Sequence, residues 1–105
     1  MDHERIAREN HRNRMNCAVS VYTAFAGENP NPTAPPKPRG DGGKCGAVLA
    51  AGQLLGEMGL GTREEAEAEF MKLYGSIKCA DLRGILRGKC NDYVGAAARI
   101  VEKRM

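Results

Sequence analysis

Residues 42–52 read GGKCGAVLAAG, and we expect the rest of the chain to be organised around them. Two glycines and a lysine end a proline-rich stretch, and Cys45 then opens a helix of small and aliphatic residues. A helix start exposes unpaired backbone N–H groups and a partial positive charge, so a thiol there is biased towards the thiolate. The small residues let another backbone or a compact cofactor come close. We therefore expect Cys45 to be reactive or metal-ligating, with the other three cysteines as its partners.

The composition is that of one small globular domain. With 105 residues the chain can build a single modest core, and 42% hydrophobic residues without tryptophan indicate an aliphatic one. The formal charge of +3 is too small to indicate nucleic acid binding, and the basic residues are not gathered with interleaved aromatics. No stretch approaches the roughly 20 apolar residues that a membrane-spanning helix needs. We expect neither a nucleic acid partner nor membrane insertion.

The first residues bear on the compartment and hence on the cysteines. Residues 1–16 are rich in charged and amide side chains and contain no apolar run, so no secretory signal is visible. The sequence therefore predicts a cytoplasmic protein, where thiols are normally kept reduced. Four cysteines in such a chain favour metal ligation or redox chemistry over a framework of structural disulfides.

Apolar residues recur every three to four positions and never alternate, which predicts an all-α fold. We expect a compact bundle of about four main helices, with a short helical turn around Cys79. Residues 1–12 form a polar leading segment, in which His3 and His11 are expected to be solvated. The predicted helices cover roughly 2–26, with a second helix capped by Asn13 or Asn16, then 44–58, 62–74 and 89–104.

Residues 27–44 contain all five prolines and four of the glycines. Proline cannot continue a helix or donate to a sheet, so the composition excludes both structures over this stretch. Pro32 to Pro35 matches the PxxP form that peptide-binding domains recognise, but such matches are frequent by chance. We interpret the stretch as a spacer wrapped over the fold.

The four cysteines are the candidates for chemistry. Cys17, Cys45 and Cys90 each begin an apolar stripe near a helix start, and Cys79 lies in a short turn after a glycine. If these helix ends pack together, four sulfurs converge on one site. Their spacing matches no CxxC redox pair, zinc ribbon or ferredoxin run. Ordinary buried thiols in a helical core are the competing interpretation.

The chain resembles the C_GCAxxG_C_C family of redox-active helical proteins. Four blocks carry the resemblance in the same order, across about residues 13–104: Asn16–Ala18, Gly42–Ala47, Tyr74–Leu82 and Cys90–Val94. One departure is that Ala50 stands where the motif has its last glycine. The extra methyl group narrows the room beside Cys45.

The resemblance implies a redox role carried by Cys17, Cys45, Cys79 and Cys90. In the first of three mechanisms the cysteines bind an iron–sulfur cluster for electron transfer, most simply a [2Fe–2S] centre, with Gly46 and Ala47 beside it. In the second, no cofactor is needed, because Cys45 is the attacking thiol of a thiol–disulfide oxidoreductase. In the third, the four cysteines form a structural zinc site in a partner-binding module. A redox partner protein is expected, and a homo-oligomer is left open.

Overall fold

The computed structural model describes residues 2–37, 40–85 and 89–105, and over these ranges it confirms the predicted all-α fold. There is no strand in these ranges; one isolated antiparallel bridge joins Lys44 and Lys78. None of the described helices is long and apolar enough to cross a membrane. The helices are α1 His3–Arg12, α2 Cys17–Ala24, a single turn α3 Gly40–Gly43, α4 Gly46–Glu57, α5 Arg63–Tyr74 and α6 Cys90–Glu102.

The helix predicted over roughly 2–26 is confirmed as two helices, α1 and α2, so the described ranges contain five helices of eight or more residues where about four main ones were expected. The side-chain oxygen of Asn16 accepts from the N–H of Val19 at 2.9 Å and caps α2. Asn16 is one of the two residues that the sequence predicted for this cap. Helix α1 packs against α2 and α6. The guanidinium group of Arg8 lies against Gly95 of α6, where a Cβ atom would displace it. The first residues are thus part of the packed structure.

Helix α4 lies at the centre of the bundle and packs against α2, α5 and α6. Most of its residues are buried, as expected for a helix that is apolar on nearly every side. At Gly52 the backbones of α4 and α5 lie close together, since a Cβ atom there would be 3.2 Å from the Cα atom of Arg63. The expectation that small residues admit another backbone is therefore confirmed at this position.

Helix α5 begins and ends as its sequence predicts. The Thr62 hydroxyl accepts from the N–H of Glu65 at 3.2 Å, and the Glu65 carboxylate accepts from the N–H of Thr62 at 3.0 Å. These reciprocal bonds are a capping box. Gly75 ends the helix with a positive φ of 79°, which a residue without a Cβ atom adopts at no steric cost.

The proline-rich stretch is bound to the fold by one carboxylate. Glu57 of α4 accepts hydrogen bonds from the Thr33 hydroxyl at 2.6 Å and from the Asn29 amide at 2.7 Å. The exclusion of helix is wrong for Gly40–Gly43, which form the single turn α3, because all five prolines precede it. Gly84 and Gly88 also predict a bend before α6, and Gly88 lies outside the described residues. The turn around Cys79 leads into a π-helical segment, Asp81–Ile85.

Candidate functional site

Three cysteines lie at helix N-termini. Cys17 is the first residue of α2, Cys45 is the N-cap of α4, and Cys90 is the first residue of α6. The prediction that these residues mark helix starts is confirmed. Unpaired N–H groups and the positive end of the helix dipole therefore accompany each of these thiols.

Backbone contacts hold the turn that carries Cys79 beside the start of α4. The N–H of Cys45 donates to the carbonyl oxygen of Ile77 at 2.7 Å, next to the bridge between Lys44 and Lys78. The Ser76 hydroxyl accepts from the N–H of Lys78 at 3.1 Å and shapes the turn. Two cysteines separated by 33 residues of chain are thus fixed in neighbouring segments.

The four thiols interact with one another. Burial, together with the thiols of Cys45, Cys90 and Cys79, raises the pKa of the Cys17 thiol to about 12. Cys90 contributes to this rise both through its charge and as a hydrogen-bond partner. Cys79 and Cys90 also raise the pKa of Cys45. Cys45, Cys79 and Cys90 are therefore near enough to Cys17 to act on it electrostatically.

Two opposing effects set the pKa of the Cys45 thiol, and their sum differs from the one expected at a helix start. The nearby backbone N–H groups of Ala47 and Val48 lower the pKa of the thiol, although this N-cap has no side-chain hydrogen bond. Burial has a larger effect in the opposite direction, because only 4% of the residue is exposed, and the pKa is raised overall. The expected bias towards the thiolate is wrong in its sign. Ala47 acts on the sulfur through its backbone, and it is fully buried beside Gly46.

The four free cysteines offer thiols as ligands for a metal ion or a cluster. Among the described residues, no three histidine, cysteine or carboxylate side chains are grouped closely enough to hold a single metal ion. A structural zinc site needs four ligands around one ion. A [2Fe–2S] cluster takes two thiolates on each of two irons, so it requires no group of three. The described residues thus offer no set of ligands for a single zinc ion, and a cluster would need only pairs of thiolates.

His11 belongs to the site, although we expected a solvated side chain. Its Nε2 atom lies 3.9 Å from the Sγ atom of Cys17, and its Nδ1 atom lies 3.4 Å from the Nδ2 atom of Asn91. The guanidinium group of Arg8 donates to Oδ1 of Asn91 at 3.2 Å, and the backbone carbonyl oxygen of Arg8 accepts from Nδ2 at 3.1 Å. These two bonds fix the orientation of the Asn91 amide. Since Asn91 presents an N–H to Nδ1, the proton of neutral His11 is on Nε2, facing the sulfur. Burial lowers the pKa of His11, which favours this neutral form.

An aromatic group lies on another side of the thiols. The hydroxyl of Tyr93 donates to the carbonyl oxygen of Leu82 at 2.7 Å, and its ring packs edge-on against Tyr74. Burial raises the pKa of Tyr93, and Tyr74, Cys45 and Cys90 contribute in the same direction. Tyr93 therefore links the helix that begins at Cys90 to the segment that follows Cys79.

His3 is also buried rather than solvated, with 3% of the residue exposed. Its ring stacks on Phe25, with 4.3 Å between centroids, and its Nδ1 atom lies 2.6 Å from a carboxylate oxygen of Glu102. Helical periodicity in the leading segment was the signal for its position, since His3 and Ala7 lie one turn apart on the buried side of α1.

Known proteins add nothing to this geometry, because no protein-family model, curated protein or solved structure matches the chain.

Proposed function

We propose that this is a small redox protein whose four cysteine thiolates hold an iron–sulfur cluster and which exchanges electrons with a partner protein. The supporting observation is the interaction among four thiols from four separate segments. A dithiol enzyme needs two such groups, whereas a cluster takes four. When bound, the cluster would supply one-electron chemistry.

Helix N-termini offset part of the cost of negative charge at the thiols. Burial raises the pKa of Cys17 and of Cys45, and four thiolates in one place would also repel each other, so the site needs compensation from its surroundings. The N-termini of α2, α4 and α6 supply partial positive charge, and the backbone of Ala47 and Val48 lowers the pKa of Cys45. Burial excludes water from Cys45 and would protect a reactive group there.

A thiol–disulfide oxidoreductase is the second candidate, and the hydrogen bond between the thiols of Cys17 and Cys90 favours it. In that reaction one thiolate attacks a disulfide substrate and forms a mixed disulfide, releasing one substrate thiol. The second thiol then attacks the mixed disulfide, releases the other substrate thiol and leaves an intramolecular disulfide. This proposal differs from the first in needing no metal.

The deciding experiment is purification without air, followed by an absorption spectrum and by measurement of iron, acid-labile sulfide and zinc. Iron and sulfide with visible bands support the cluster. A colourless, metal-free protein that loses two free thiols on mild oxidation supports the dithiol enzyme. Zinc alone supports a structural zinc site and contradicts both redox proposals.

Two variants separate loss of a ligand from damage to the core. Cys45→Ser should abolish iron binding with little change in helix content, because it removes one sulfur and keeps the shape of the side chain. Ala18→Ser is the matched control, since Ala18 is fully buried beside Cys17 and the change places a similar hydroxyl group in the core. Iron loss in both variants would show that the core, rather than the thiol, had been tested.

A further inference from the structure

Lysine directly precedes three of the four cysteines: the pairs are Lys44 with Cys45, Lys78 with Cys79, and Lys89 with Cys90. The chain itself therefore places a cation next to each of these thiols. The remaining cysteine, Cys17, follows Arg14 by three residues. Cationic residues thus accompany every segment that contributes to the four-cysteine site.

Three of these cations are exposed: Arg14, Lys78 and Lys89, which we call the basic rim. No ion pair joins any of them to a carboxylate in the described part of the chain, whereas Lys44 lies 3.0 Å from Glu67. Ion pairs elsewhere join Arg99 with Glu4, Lys103 with Glu69 and Arg104 with Glu65. Arg12, Lys37 and Lys72 are exposed as well and pair with no carboxylate among the described residues, so what distinguishes the basic rim is its position next to the cysteines in sequence.

Two carboxylates lie close to the cysteines in sequence. Asp92 pairs with Arg8 at 3.1 Å, whereas Asp81 accepts from the neutral Ser76 hydroxyl at 2.9 Å and keeps its negative charge. The N-termini of α2, α4 and α6 add further positive potential at the same end of the bundle. An approaching anion would therefore meet a positive field at the thiols.

We propose that the basic rim is the docking surface for an acidic protein that reacts with the four-cysteine site by electron transfer or by thiol–disulfide exchange. The inference rests on the proposed function for its partner, and it deepens that proposal by naming the partner's chemistry. Exposed charges at the edge of an interface act mainly on the association rate, and their effect weakens as salt screens them. An acidic surface would thus be steered to the thiols and released readily after exchange.

The first test measures the local field with two disulfide reagents on reduced, metal-free protein. The dianionic reagent is 5,5′-dithiobis(2-nitrobenzoate), and the dicationic one is cystamine. In Lys78→Glu/Lys89→Glu we expect the ratio of anionic to cationic rate constants to fall about tenfold at low salt. Lys37→Glu/Lys72→Glu changes the net charge equally at exposed lysines outside the rim, and it should leave the ratio within about twofold of wild type. Equal falls in both variants would overturn the proposal.

The second test uses a polyglutamate peptide as the acidic probe, with single-stranded DNA and anionic vesicles as competitors for the same surface. Wild type and the Lys37/Lys72 variant should bind the peptide at low salt, and the Lys78/Lys89 variant should lose that binding. Tighter binding of DNA or vesicles through the rim would overturn the acidic protein as partner. Iron content is measured in the same preparations, so absence of iron would refute the cluster while the rim is still tested.

Discussion

The N–H of Cys45 donates to the carbonyl oxygen of Ile77 at 2.7 Å, and this bond fixes the start of α4 against the turn that carries Cys79. Of the two thiols that act on Cys45, Cys79 has the larger effect. Among the thiols that act on Cys17, Cys45 has the largest effect and Cys90 the next. Since the backbone already holds Cys45 against the turn of Cys79, we predict the pairs Cys45 with Cys79 and Cys17 with Cys90.

Oxidation of the reduced, metal-free protein with glutathione disulfide should join these pairs. Each protein disulfide forms when two thiols give two electrons and two protons to glutathione disulfide, which becomes two glutathione molecules. We expect peptide mapping under acid trapping to find links between Cys17 and Cys90 and between Cys45 and Cys79. Linked peptides that join Cys17 to Cys45 would contradict the pairing.

Two double variants provide the control for this prediction. Cys17→Ser/Cys90→Ser keeps one predicted pair and should still form an intramolecular disulfide. Cys17→Ser/Cys45→Ser leaves one member of each pair, so glutathione adducts should replace the disulfide. Equal disulfide yields in the two variants would mean that all four sulfurs are equivalent.

His11 should raise the reduction potential of the iron-loaded protein. Its Nε2 atom faces the Cys17 sulfur at 3.9 Å, and a donor to a ligating sulfur stabilises the more negative, reduced state. One weak hydrogen bond corresponds to about 20–60 mV for a one-electron couple, so His11→Ala should lower the midpoint potential by that amount. Redox titration measures it. His11→Gln can restore a donor and should recover part of the shift, whereas equal shifts in both variants would indicate a packing effect.

Local sequence signals predicted most of the fold. The capping box at Thr62, the cap at Asn16 and the left-handed glycine at Gly75 depend on neighbours within a few residues, so their chemistry is readable from the chain. The continuous apolar character of α4 likewise indicated a central helix. The cap at Asn16 also indicated the break between α1 and α2, but the burial of α1 was not predicted, because polar residues mask its buried side, which includes Ala7.

The site was only partly predictable because its contacts join distant residues. The helix starts at Cys17, Cys45 and Cys90 could be read from the periodicity, but the position of His11 depends on Asn91, 80 residues further along the chain. The sign of the pKa shift at Cys45 was missed for a related reason. It depends on burial, which the packing of several helices determines together.

Glu57 should control the attachment of the proline-rich stretch and the stability in acid. Burial alone would raise its pKa, but hydrogen bonds from Thr33, Tyr22, Asn29 and Gln53 outweigh burial and lower the pKa from 4.5 to about 2. A depressed carboxylate pKa contributes stability that is present above the unfolded value and is lost as the pH falls towards the folded value. We therefore expect the free energy of unfolding to fall between pH 4.5 and about 2.

Replacing this carboxylate tests its contribution directly. Glu57→Gln should lower the free energy of unfolding by about 1–3 kcal/mol at neutral pH and flatten the acid transition. Urea unfolding at a series of pH values measures both effects. Glu9→Gln is the control, because Glu9 is half exposed and its pair with Arg5 contributes little. Equal slopes for Glu57→Gln and wild type would assign the acid sensitivity to other carboxylates.

Two glycines of α4 should respond oppositely to the same substitution. Alanine is intrinsically more stable than glycine in a helix by about 1 kcal/mol, so the change would help wherever space allows. At Gly56 nothing lies within 4 Å of an added Cβ atom, and Gly56→Ala should be stabilising by up to that amount. At Gly52 the added atom would lie 2.7 Å from the Cγ atom of Arg63 and 3.2 Å from its Cα atom. Because backbone must then move, Gly52→Ala should be destabilising by about 1–2 kcal/mol net.

Thermal and urea unfolding of the two variants beside wild type measure this difference. Only the neighbour that the new methyl group meets distinguishes the two sites, since both glycines lie in the same helix. A second substitution, Arg63→Ala, removes the Cγ atom but keeps the Cα and Cβ atoms in place. It should therefore relieve only part of the cost of Gly52→Ala. Full relief would mean that the side chain of Arg63, rather than the backbone of α5, limits how closely the two helices approach.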